Sequence, residues 1–374
     1  MRYCVLYPNT KNVNLVKEMG MIPYKLHKKF GYDAKIACYN LDEYTYLNEE
    51  VKGLKIDFIE EKYNNYSLDG LKYLKKHAKE IDVLQIFHVT VYSLLYAFRY
   101  KRLNKKGKIY LKLDCSHKLV DRILSLNKVK YVLLNKYLDK VDLISVEQKV
   151  LFKKLKSILP TQANKMINIP NGVDYKYLEE KQIKYNFDEK ENTILSVTRV
   201  GAEEKNTQML IEAFTSIENI ETLGWKLKIV GPIEEEFNEY INNYFKNNPK
   251  MKDIVIFTGA IQNREELFNE YKKAKIFSLT SNFESFGIAF IEAAALGDVI
   301  ISTDVGIAKE LISKGNGAVV DTEDVEALKR ELKKYMLKDN LKNDSEITYE
   351  IARENFDWDN IINKLNHSIS KFFK

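Results

Sequence analysis

Short apolar runs alternate along the first half of the chain with longer segments in which apolar residues recur every three or four positions. The runs predict strands, and the longer segments predict helices. Predicted strands cover residues 3–7, 34–38, 54–59, 83–87, 109–113 and 143–146, and predicted helices cover residues 13–30, 68–78, 91–100 and 129–138. This alternation predicts a parallel sheet with helices on both faces, whose ligands bind beyond the carboxyl ends of the strands.

The same alternation resumes after a break near residue 170. Pro170 and the pair Asn171-Gly172 interrupt the periodicity and predict a sharp turn. Later predicted strands cover residues 193–199, 227–230, 254–258, 276–280 and 299–303, and predicted helices cover residues 207–214 and 325–335, with a last amphipathic helix from residue 356. We therefore predict an α/β protein of two domains, residues 1–172 and 173–355, followed by that helix.

Residues 278–297 combine the end of a strand, a polar turn and an Ala-rich helix that stops at a glycine. The first backbone N–H groups of the helix, at Phe286, Gly287 and Ile288, favour an anion such as a phosphate. Glu284 precedes this helix start, and Glu292 lies about six residues, or roughly 9 Å, along the helix. The pattern indicates a phosphate flanked by two carboxylates that bind hydroxyls, as in a sugar nucleotide. An ordinary turn with two solvated glutamates is the alternative.

Two cations flank the loop that follows the predicted strand at residues 193–199. These residues, Arg199 and Lys205, suit a diphosphate that gains negative charge as its bond to a sugar breaks. As an isolated pair they would be ordinary surface residues, so their interpretation depends on the neighbouring carboxylates.

The composition is that of a globular protein, with 45% hydrophobic and 30% charged residues among 374. The amino terminus is predicted to be a strand rather than a signal peptide, and no apolar run is long enough to span a membrane. The cysteines, Cys4, Cys38 and Cys115, are far apart and lack metal-binding spacing, which predicts a reducing cytoplasm and no disulfide. We interpret Asp357 of the D-x-D at 357–359 as a helix cap rather than a metal ligand.

The net charge of +6 is unevenly distributed, with +15 in residues 1–170 and −9 in the remainder. The densest basic cluster follows the predicted aromatic helix at 91–100 and comprises Arg99, Lys101, Arg102, Lys105, Lys106, Lys108 and Lys112. An aromatic helix flanked by cations suits an anionic membrane surface or a phosphate-bearing acceptor. No recognised nucleic-acid motif accompanies the charge, so we predict no nucleic-acid partner. A solvated lysine-rich surface remains the alternative.

Polar residues follow three predicted strands of the first domain, at 9–12, at His88 and at Asp114. Because the carboxyl ends of parallel strands share one edge, these residues are candidates for a binding site. A structural role is the alternative for His88.

Glu284 and Glu292 form an E-x7-E pattern followed by A-x-x-x-G, which ends at Gly297. This pattern resembles the signature of the retaining glycosyltransferases of family 4. That family has the GT-B fold of two facing Rossmann-like domains, in which a C-terminal crossover helix returns to the first domain. Arg-x5-Lys at 199–205 and PNGVD at 170–174 are similar to the same family. The resemblance implies that residues 356–374 complete the first domain, with Trp358 as an anchor.

The resemblance also implies roles for the candidate residues. Arg199, Lys205 and the helix start at 286–288 would neutralise the leaving diphosphate in place of a metal ion, so no cofactor is expected and a UDP-sugar is the co-substrate. Glu292 would hold the ribose, and Glu284 would hold the transferred sugar.

Three further residues take roles from the same resemblance. The backbone at Ile261 would hold the base, while His88 and Asp114 would lie on the acceptor side, Asp114 as a catalytic, proton-handling candidate. The chain departs from the family pattern at several positions. Residues 8–12 replace a glycine-rich loop, Thr198 replaces a usual glycine, Asp298 replaces a usual proline and Ile307 replaces a frequent second glycine.

The predicted function is therefore the retaining transfer of a hexose from a UDP-sugar to a glycan or lipid-linked acceptor, in the assembly of a surface polysaccharide such as a capsule. The expected location is the cytoplasm, with peripheral contact between the basic first domain and an anionic membrane. Two alternatives stay open: an inactive GT-B accessory protein that partners an active enzyme, and a sugar-nucleotide epimerase. An epimerase would consume no acceptor and release no nucleoside diphosphate.

Overall fold

The computed structural model describes residues 1–373. The chain divides into two compact units. The first domain comprises Met1–Gly172 together with the segment that starts at Trp358, and the second domain comprises Val173–Asp357. Lys374, the last residue of the predicted C-terminal segment, lies outside the described residues.

The first domain is built on a parallel sheet whose seven described strands lie in the order β3-β2-β1-β4-β5-β6-β7. The strands are β1 Arg2–Leu6, β2 Asp33–Cys38, β3 Lys55–Phe58, β4 Val83–Phe87, β5 Lys108–Leu113, β6 Leu143–Val146 and β7 Met166–Asn168. Alternate side chains of β1 enter different apolar clusters, Cys4 and Leu6 on one face and Tyr3 and Val5 on the other. Both faces of the sheet are therefore buried, which confirms the predicted parallel architecture.

Six helices precede the second domain. They are α1 Glu18–Phe30, α2 Tyr66–His77, α3 Val91–Leu103, α4 His117–Leu124, α5 Lys128–Leu138 and α6 Lys149–Ile158. The predicted start of α1 at residue 13 is wrong. Asn12–Asn14 form a separate 3-10 turn, in which the Asn14 side chain accepts a hydrogen bond from the Lys11 backbone at 2.7 Å and so competes with a helix.

The second domain has a parallel sheet of six described strands in the order β10-β9-β8-β11-β12-β13. The strands are β8 Glu191–Val197, β9 Lys226–Val230, β10 Val255–Gly259, β11 Ala274–Phe277, β12 Val299–Thr303 and β13 Ala318–Val320. The helices are α7 Tyr175–Glu180, α8 Thr207–Thr215, α9 Phe237–Asn247, α10 Arg264–Lys273, α11 Ile288–Ala294, α12 Ala308–Leu311, α13 Val325–Met336 and α14 Leu341–Asn355.

A final helix, α15 Trp358–Ser370, belongs to the first domain, as the GT-B resemblance implied. Trp358 is 1% exposed and shares an apolar cluster with Ile22 and Leu26 of α1. The predicted start at Phe356 is two residues early, because Phe356 packs in a core cluster of the second domain.

Each sheet reverses its strand order once. The reversal lies between β1 and β4 in the first domain and between β8 and β11 in the second. Loops that leave the carboxyl ends of such neighbouring strands diverge and open a crevice, which is where doubly wound sheets bind ligands. The loop after β8 carries Arg199 and Lys205, and the turn after β11 carries Glu284, so these candidates lie at the reversal of the second sheet.

The basic cluster predicted for a surface is partly buried. Lys112 is 0% exposed and pairs with Glu147, while Lys101 and Lys108 pair with Asp142. Two aromatic rings of α3, those of Tyr96 and Tyr100, are fully buried in the core, whereas Phe98 on the same helix is 42% exposed. Lys112 therefore takes no part in a basic surface that could meet a membrane or an acceptor. Among the described residues, none of the helices combines the length and the apolar character that crossing a bilayer requires.

Candidate active site

The turn between β11 and α11 has a backbone that requires glycine. Residues 278–280, predicted as strand, lie beyond β11, and α11 begins at Ile288 with Gly287 as its N-cap at φ +82°. A Cβ at Gly287 would come within 2.5 Å of the Phe290 ring. Phe286 and Gly287 thus precede the helix rather than start it. The Phe286 side chain is 2% exposed, so only its backbone could serve a ligand.

Lys205 and Glu284, which are 79 residues apart in sequence, form a direct ion pair. Lys205 Nζ donates to Glu284 Oε1 at 2.6 Å, and Ser281 Oγ donates to the same oxygen at 2.8 Å. The Lys205 and Glu284 side chains are 17% and 13% exposed, so the pair is largely shielded from solvent while remaining accessible. A carboxylate held this way has lone pairs left for a ligand hydroxyl, and the ammonium group can also bind a phosphate.

The loop after β12 packs against this turn. Ile307 N–H donates to the Phe286 carbonyl at 3.1 Å, and a Cβ at Gly306 would come within 2.3 Å of that oxygen and 3.2 Å of the Glu284 Cβ. Gly306 therefore permits the close approach of the two loops. Ile307, which departs from the resembling family's glycine, is buried at 1% exposure.

The loop after β8 is tied to the turn after β11. Thr280 Oγ1 donates to the Asn206 carbonyl at 2.9 Å, and Asn282 N–H donates to the Glu204 carbonyl at 2.8 Å. Arg199 is exposed, and its guanidinium bonds the Glu204 carboxylate. These bonds hold Arg199 and Lys205 in one loop beside Glu284.

Thr198, at the end of β8, has a buried hydroxyl with no hydrogen-bond partner among the described residues. A buried polar atom without a partner is uncommon, because leaving it unpaired costs free energy. Because Thr198 directly precedes Arg199, this hydroxyl is a further candidate ligand contact. The family resemblance marked Thr198 only as the replacement of a usual glycine.

Glu292 is held by two residues that the sequence interpretation missed. Its carboxylate accepts hydrogen bonds from Tyr271 Oη at 3.1 Å and from Arg264 at 3.3 Å, and Glu292 is 8% exposed. Burial, with the nearby charge of Glu292, raises the pKa of Tyr271 well above its usual value, so Tyr271 stays a neutral donor. The seven-residue spacing of Arg264 and Tyr271 on a helical segment was the signal that could have identified them.

Ile261, the predicted base contact, lies in the loop between β10 and α10. Its side chain is partly buried against the cluster that contains Phe286 and Phe290. Arg264, which binds Glu292, follows three residues later. The chain therefore connects the predicted base loop directly to the residues that hold Glu292.

In the first domain, His88 and Asp114 contact each other through a backbone group. The Nδ1 atom of His88 lies 3.1 Å from the Asp114 carbonyl oxygen, which favours the tautomer that donates from Nδ1. Burial lowers the pKa of His88, so the ring is neutral near pH 7 and its Nε2 atom is an acceptor. His88 also has φ +57°, in the left-handed region that non-glycine residues seldom adopt.

A buried ionic cluster, which the sequence analysis did not predict, lies beside these residues. Lys112 Nζ donates to Glu147 Oε1 at 2.6 Å and to the Ile169 carbonyl at 3.1 Å, and Asn171 Nδ2 donates to Glu147 at 2.9 Å. Burial raises the pKa of the Glu147 carboxyl. The cluster fastens the predicted turn at residues 170–172 to the first sheet.

Within residues 1–373, no three or more His, Cys, Asp or Glu side chains are grouped as metal ligands would be. The second domain places Arg199, Lys205 and Glu284 at the reversal of its sheet, and it places Glu292 in the helix α11 that follows. Such a set can neutralise an anionic leaving group with Arg199 and Lys205 and can bind hydroxyl groups with Glu284 and Glu292.

Comparison with protein families gives a match within the second domain. Residues 178–354 match the family model described as "Glycosyl transferases group 1". This segment is slightly under half of the chain and contains all of the candidate residues of the second domain.

Two curated proteins are similar over part of their length. A probable sucrose-phosphate synthase of Thermosipho melanesiensis is 29% identical over 228 residues, which are 58% of this chain and 52% of that protein. An alpha-monoglucosyldiacylglycerol synthase of Streptococcus pneumoniae is 30% identical over 159 residues, 39% of this chain and 34% of that protein. This chain thus matches about half of the first relative and a third of the second.

Solved structures share the whole architecture. HepE of Anabaena in complex with UDP has a TM-score of 0.75 at 15% identity, covering 99% of this chain and 100% of that chain. Sucrose-phosphate synthase from Thermosynechococcus elongatus has a TM-score of 0.72 at 16% identity, covering 100% of this chain and 99% of that chain. These similarities establish the GT-B fold.

Proposed function

We propose that this chain, with its GT-B fold and its glycosyl transferases group 1 segment, is a glycosyltransferase that moves a hexose from a UDP-sugar to a glycan or lipid-linked acceptor. The observation that carries the proposal is the Lys205–Glu284 pair, which joins a phosphate-binding cation to a hydroxyl-binding carboxylate at the sheet reversal. UDP as the nucleotide of the donor is supported by the family resemblance and by the UDP bound to the similar HepE.

In this proposal the ion pair between Lys205 and Glu284 separates when the donor binds. A diphosphate competes for Lys205, because it carries more charge than one carboxylate. Glu284 then accepts hydrogen bonds from hydroxyls of the transferred sugar, with Ser281 still fixing one of its oxygens. Arg199 exchanges its contact with Glu204 for the diphosphate, and the two cations stabilise the negative charge that develops as the glycosidic bond breaks.

Glu292 is proposed to hold the ribose. Tyr271 and Arg264 each donate to one of its oxygens, which fixes the carboxylate plane and leaves lone pairs for a diol. The backbone at Ile261 would pair with the base, and neither role requires a metal ion.

The acceptor is assigned to the first domain. The neutral His88 has a free acceptor lone pair on Nε2 in the favoured tautomer, and Asp114 offers a carboxylate at the same sheet edge. Either group could take the proton of the acceptor hydroxyl. Retention of the anomeric configuration follows from the family resemblance, with attack on the same face that the diphosphate leaves and no protein nucleophile.

The proposal predicts that UDP stabilises the wild-type protein against heat and that Glu292→Ala abolishes most of this effect. A ligand at 100 times its dissociation constant adds about 2.7 kcal/mol to the free energy of unfolding. The measurement is a thermal denaturation series with UDP, other nucleoside diphosphates and their sugars. Glu326→Ala, which removes a glutamate that is 77% exposed on α13, is the matched control and should keep the full shift.

If no nucleoside diphosphate stabilises the wild type at millimolar concentration, the enzyme proposal is contradicted. The inactive accessory protein would then be the better account, since Ile307 and residues 8–12 already depart from the family pattern. If a UDP-sugar binds and is converted without acceptor or UDP release, the chain is an epimerase.

Contact with an anionic membrane is proposed for a different surface from the buried cluster around Lys112. Helices α4 and α5 expose the aliphatic side chains of Leu124, Val129, Val132 and Leu133, and the last three share one face of α5 by their helical spacing. Lysines 128, 130 and 136 are exposed on the same helix, α5. An exposed apolar stripe among cations is typical of helices that lie in the membrane interface, and it would bring a lipid-linked acceptor to the enzyme.

Leu133→Asp is therefore expected to weaken binding to vesicles that contain phosphatidylglycerol by about 10- to 100-fold, since burying one leucine contributes roughly 1.5–3 kcal/mol. Cosedimentation with such vesicles and with neutral phosphatidylcholine vesicles measures the effect. Leu337→Asp is the control, because Leu337 is 56% exposed in the second domain and Leu133 is 54% exposed. Equal binding of both variants would rule out this surface.

A further inference from the structure

The second domain contains a cavity of about 450 Å³ that the proposed donor site does not use. Ala295 and Leu296, which follow the last turn of α11, line it. A helix that connects two parallel strands runs antiparallel to them, so this end of α11 lies toward the amino ends of the strands. The Lys205–Glu284 pair lies at their carboxyl ends. The cavity is therefore a separate place on the same domain.

Three tyrosines form one wall of the cavity. Tyr185 and Tyr349 are stacked, with ring centroids 4.7 Å apart and an interplanar angle of 21°. The Tyr175 ring meets Tyr349 edge-on at 6.4 Å. Tyr185 and Tyr349 are only partly buried, so the wall presents aromatic surface to the cavity.

The polar groups of the cavity include donors and acceptors. Arg353 lies over the Tyr175 ring, 4.3 Å from its centroid, and its guanidinium pairs with Glu179 at 3.3 Å. The Tyr175 side chain lines the cavity and is 4% exposed, yet its phenol oxygen has no hydrogen-bond partner among the residues that the structure describes. Leaving such a group unpaired is costly, and a ligand hydroxyl would supply the missing bond.

The lining selects one class of ligand. An acyl chain is disfavoured because charged and phenolic groups make up much of the wall. A phosphate is disfavoured because Glu179 already pairs with Arg353, which leaves the exposed Lys184 as the one further cation among the residues that line the cavity. A sugar ring fits, since it has an apolar face for a tyrosine and hydroxyls around its rim for Arg353, Glu179 and the phenol of Tyr175. The cavity volume lies in the range of known small-molecule sites, roughly 300–1,000 Å³.

We propose that this cavity is a second saccharide-binding site, which holds a neutral sugar unit away from the donor. That the sugar belongs to the acceptor or product glycan rests on the proposed glycosyltransferase function. The binding chemistry itself rests only on the residues of the cavity.

Saturation-transfer NMR on the full chain tests the proposal with sucrose, lactose and maltotriose as probes. We expect at least one probe to bind in the presence of saturating UDP, and Tyr349→Ala and Tyr175→Phe each to weaken binding about tenfold, which corresponds to roughly 1.4 kcal/mol. Tyr175→Phe removes only a hydroxyl, so it remains informative where Tyr349→Ala fails to fold. Tyr240→Ala, on α9 and stacked against Phe237, is the control and should bind normally.

The outcomes separate this proposal from the donor site. Binding that UDP abolishes, or that Glu284→Gln abolishes, belongs to the donor site and overturns the cavity proposal. Absence of binding by all three probes also overturns it, while UDP stabilisation would leave the glycosyltransferase proposal standing. Saccharide binding that depends on Tyr175 and Tyr349 supports the cavity even where no nucleotide stabilises the protein.

Discussion

Lys205→Ala is expected to lower the rate of UDP release from the donor by about 100- to 1,000-fold, which corresponds to roughly 2.7–4 kcal/mol of lost transition-state stabilisation. The ammonium group of Lys205 is 2.6 Å from Glu284 and 17% exposed, so it acts in a site largely shielded from water, where one charge has a large effect. The measurement is UDP production from the UDP-sugar that stabilises the wild type, with and without acceptor.

Glu284→Gln separates the two members of the pair. Glu284 is assigned to the sugar and Lys205 to the diphosphate, so Glu284→Gln should keep the thermal shift with UDP while losing turnover. Lys205→Ala should lose both. Lys342→Ala is the matched control, because Lys342 also pairs with a carboxylate, Asp188 at 3.0 Å, on an exposed surface of the same domain. Unchanged turnover in Lys205→Ala would contradict the assignment of Lys205 to the diphosphate.

Asp298→Ala is expected to lower the free energy of unfolding of the second domain by about 3–5 kcal/mol, because it leaves Lys190 as a buried charge without a counter-ion. Both side chains are 0% exposed, and Lys190 Nζ donates to Asp298 Oδ1 at 2.7 Å. The same ammonium group donates to the carbonyls of Ala274 at 2.6 Å and Tyr271 at 3.2 Å, at the carboxyl end of α10. Loss of Asp298 therefore also disturbs the helix that carries Arg264 and Tyr271.

The ionised pair is not itself a large source of stability. Burial raises the pKa of Asp298 to about 7 and lowers the pKa of Lys190, so each charge is disfavoured by its surroundings. The double variant Lys190→Met with Asp298→Ala removes both charges and should recover most of the lost free energy. A double variant no more stable than Asp298→Ala would contradict this account.

The two tryptophans of the chain allow the domains to be followed separately. Trp225 lies in a cluster of the second domain, and Trp358 lies in the first. In a Trp358→Phe background, urea denaturation followed by fluorescence reports on Trp225 alone. Asp188→Ala, which breaks an exposed pair, is the control and should change the free energy of unfolding by less than about 1 kcal/mol.

Periodicity was sufficient to predict the two parallel α/β domains, because strands buried on both faces leave an unambiguous apolar run between helices. It also showed that Arg199, Lys205 and Glu284 follow strands, and therefore share the binding edge of a sheet. Burial was harder to predict. Lys112 resembles its basic neighbours in sequence, yet it points into the first domain beside Glu147.

The sequence by itself determined the fold class and the edge of the sheet at which the candidate residues lie, since both follow from local patterns of apolar and polar positions. Only the tertiary structure decided which of these residues meet. The contact of Lys205 with Glu284 depends on β8 and β11 being neighbours, and the contacts of Glu292 depend on α10 packing beside α11. Strand order and helix packing arise from contacts between distant segments, and no local pattern encodes them.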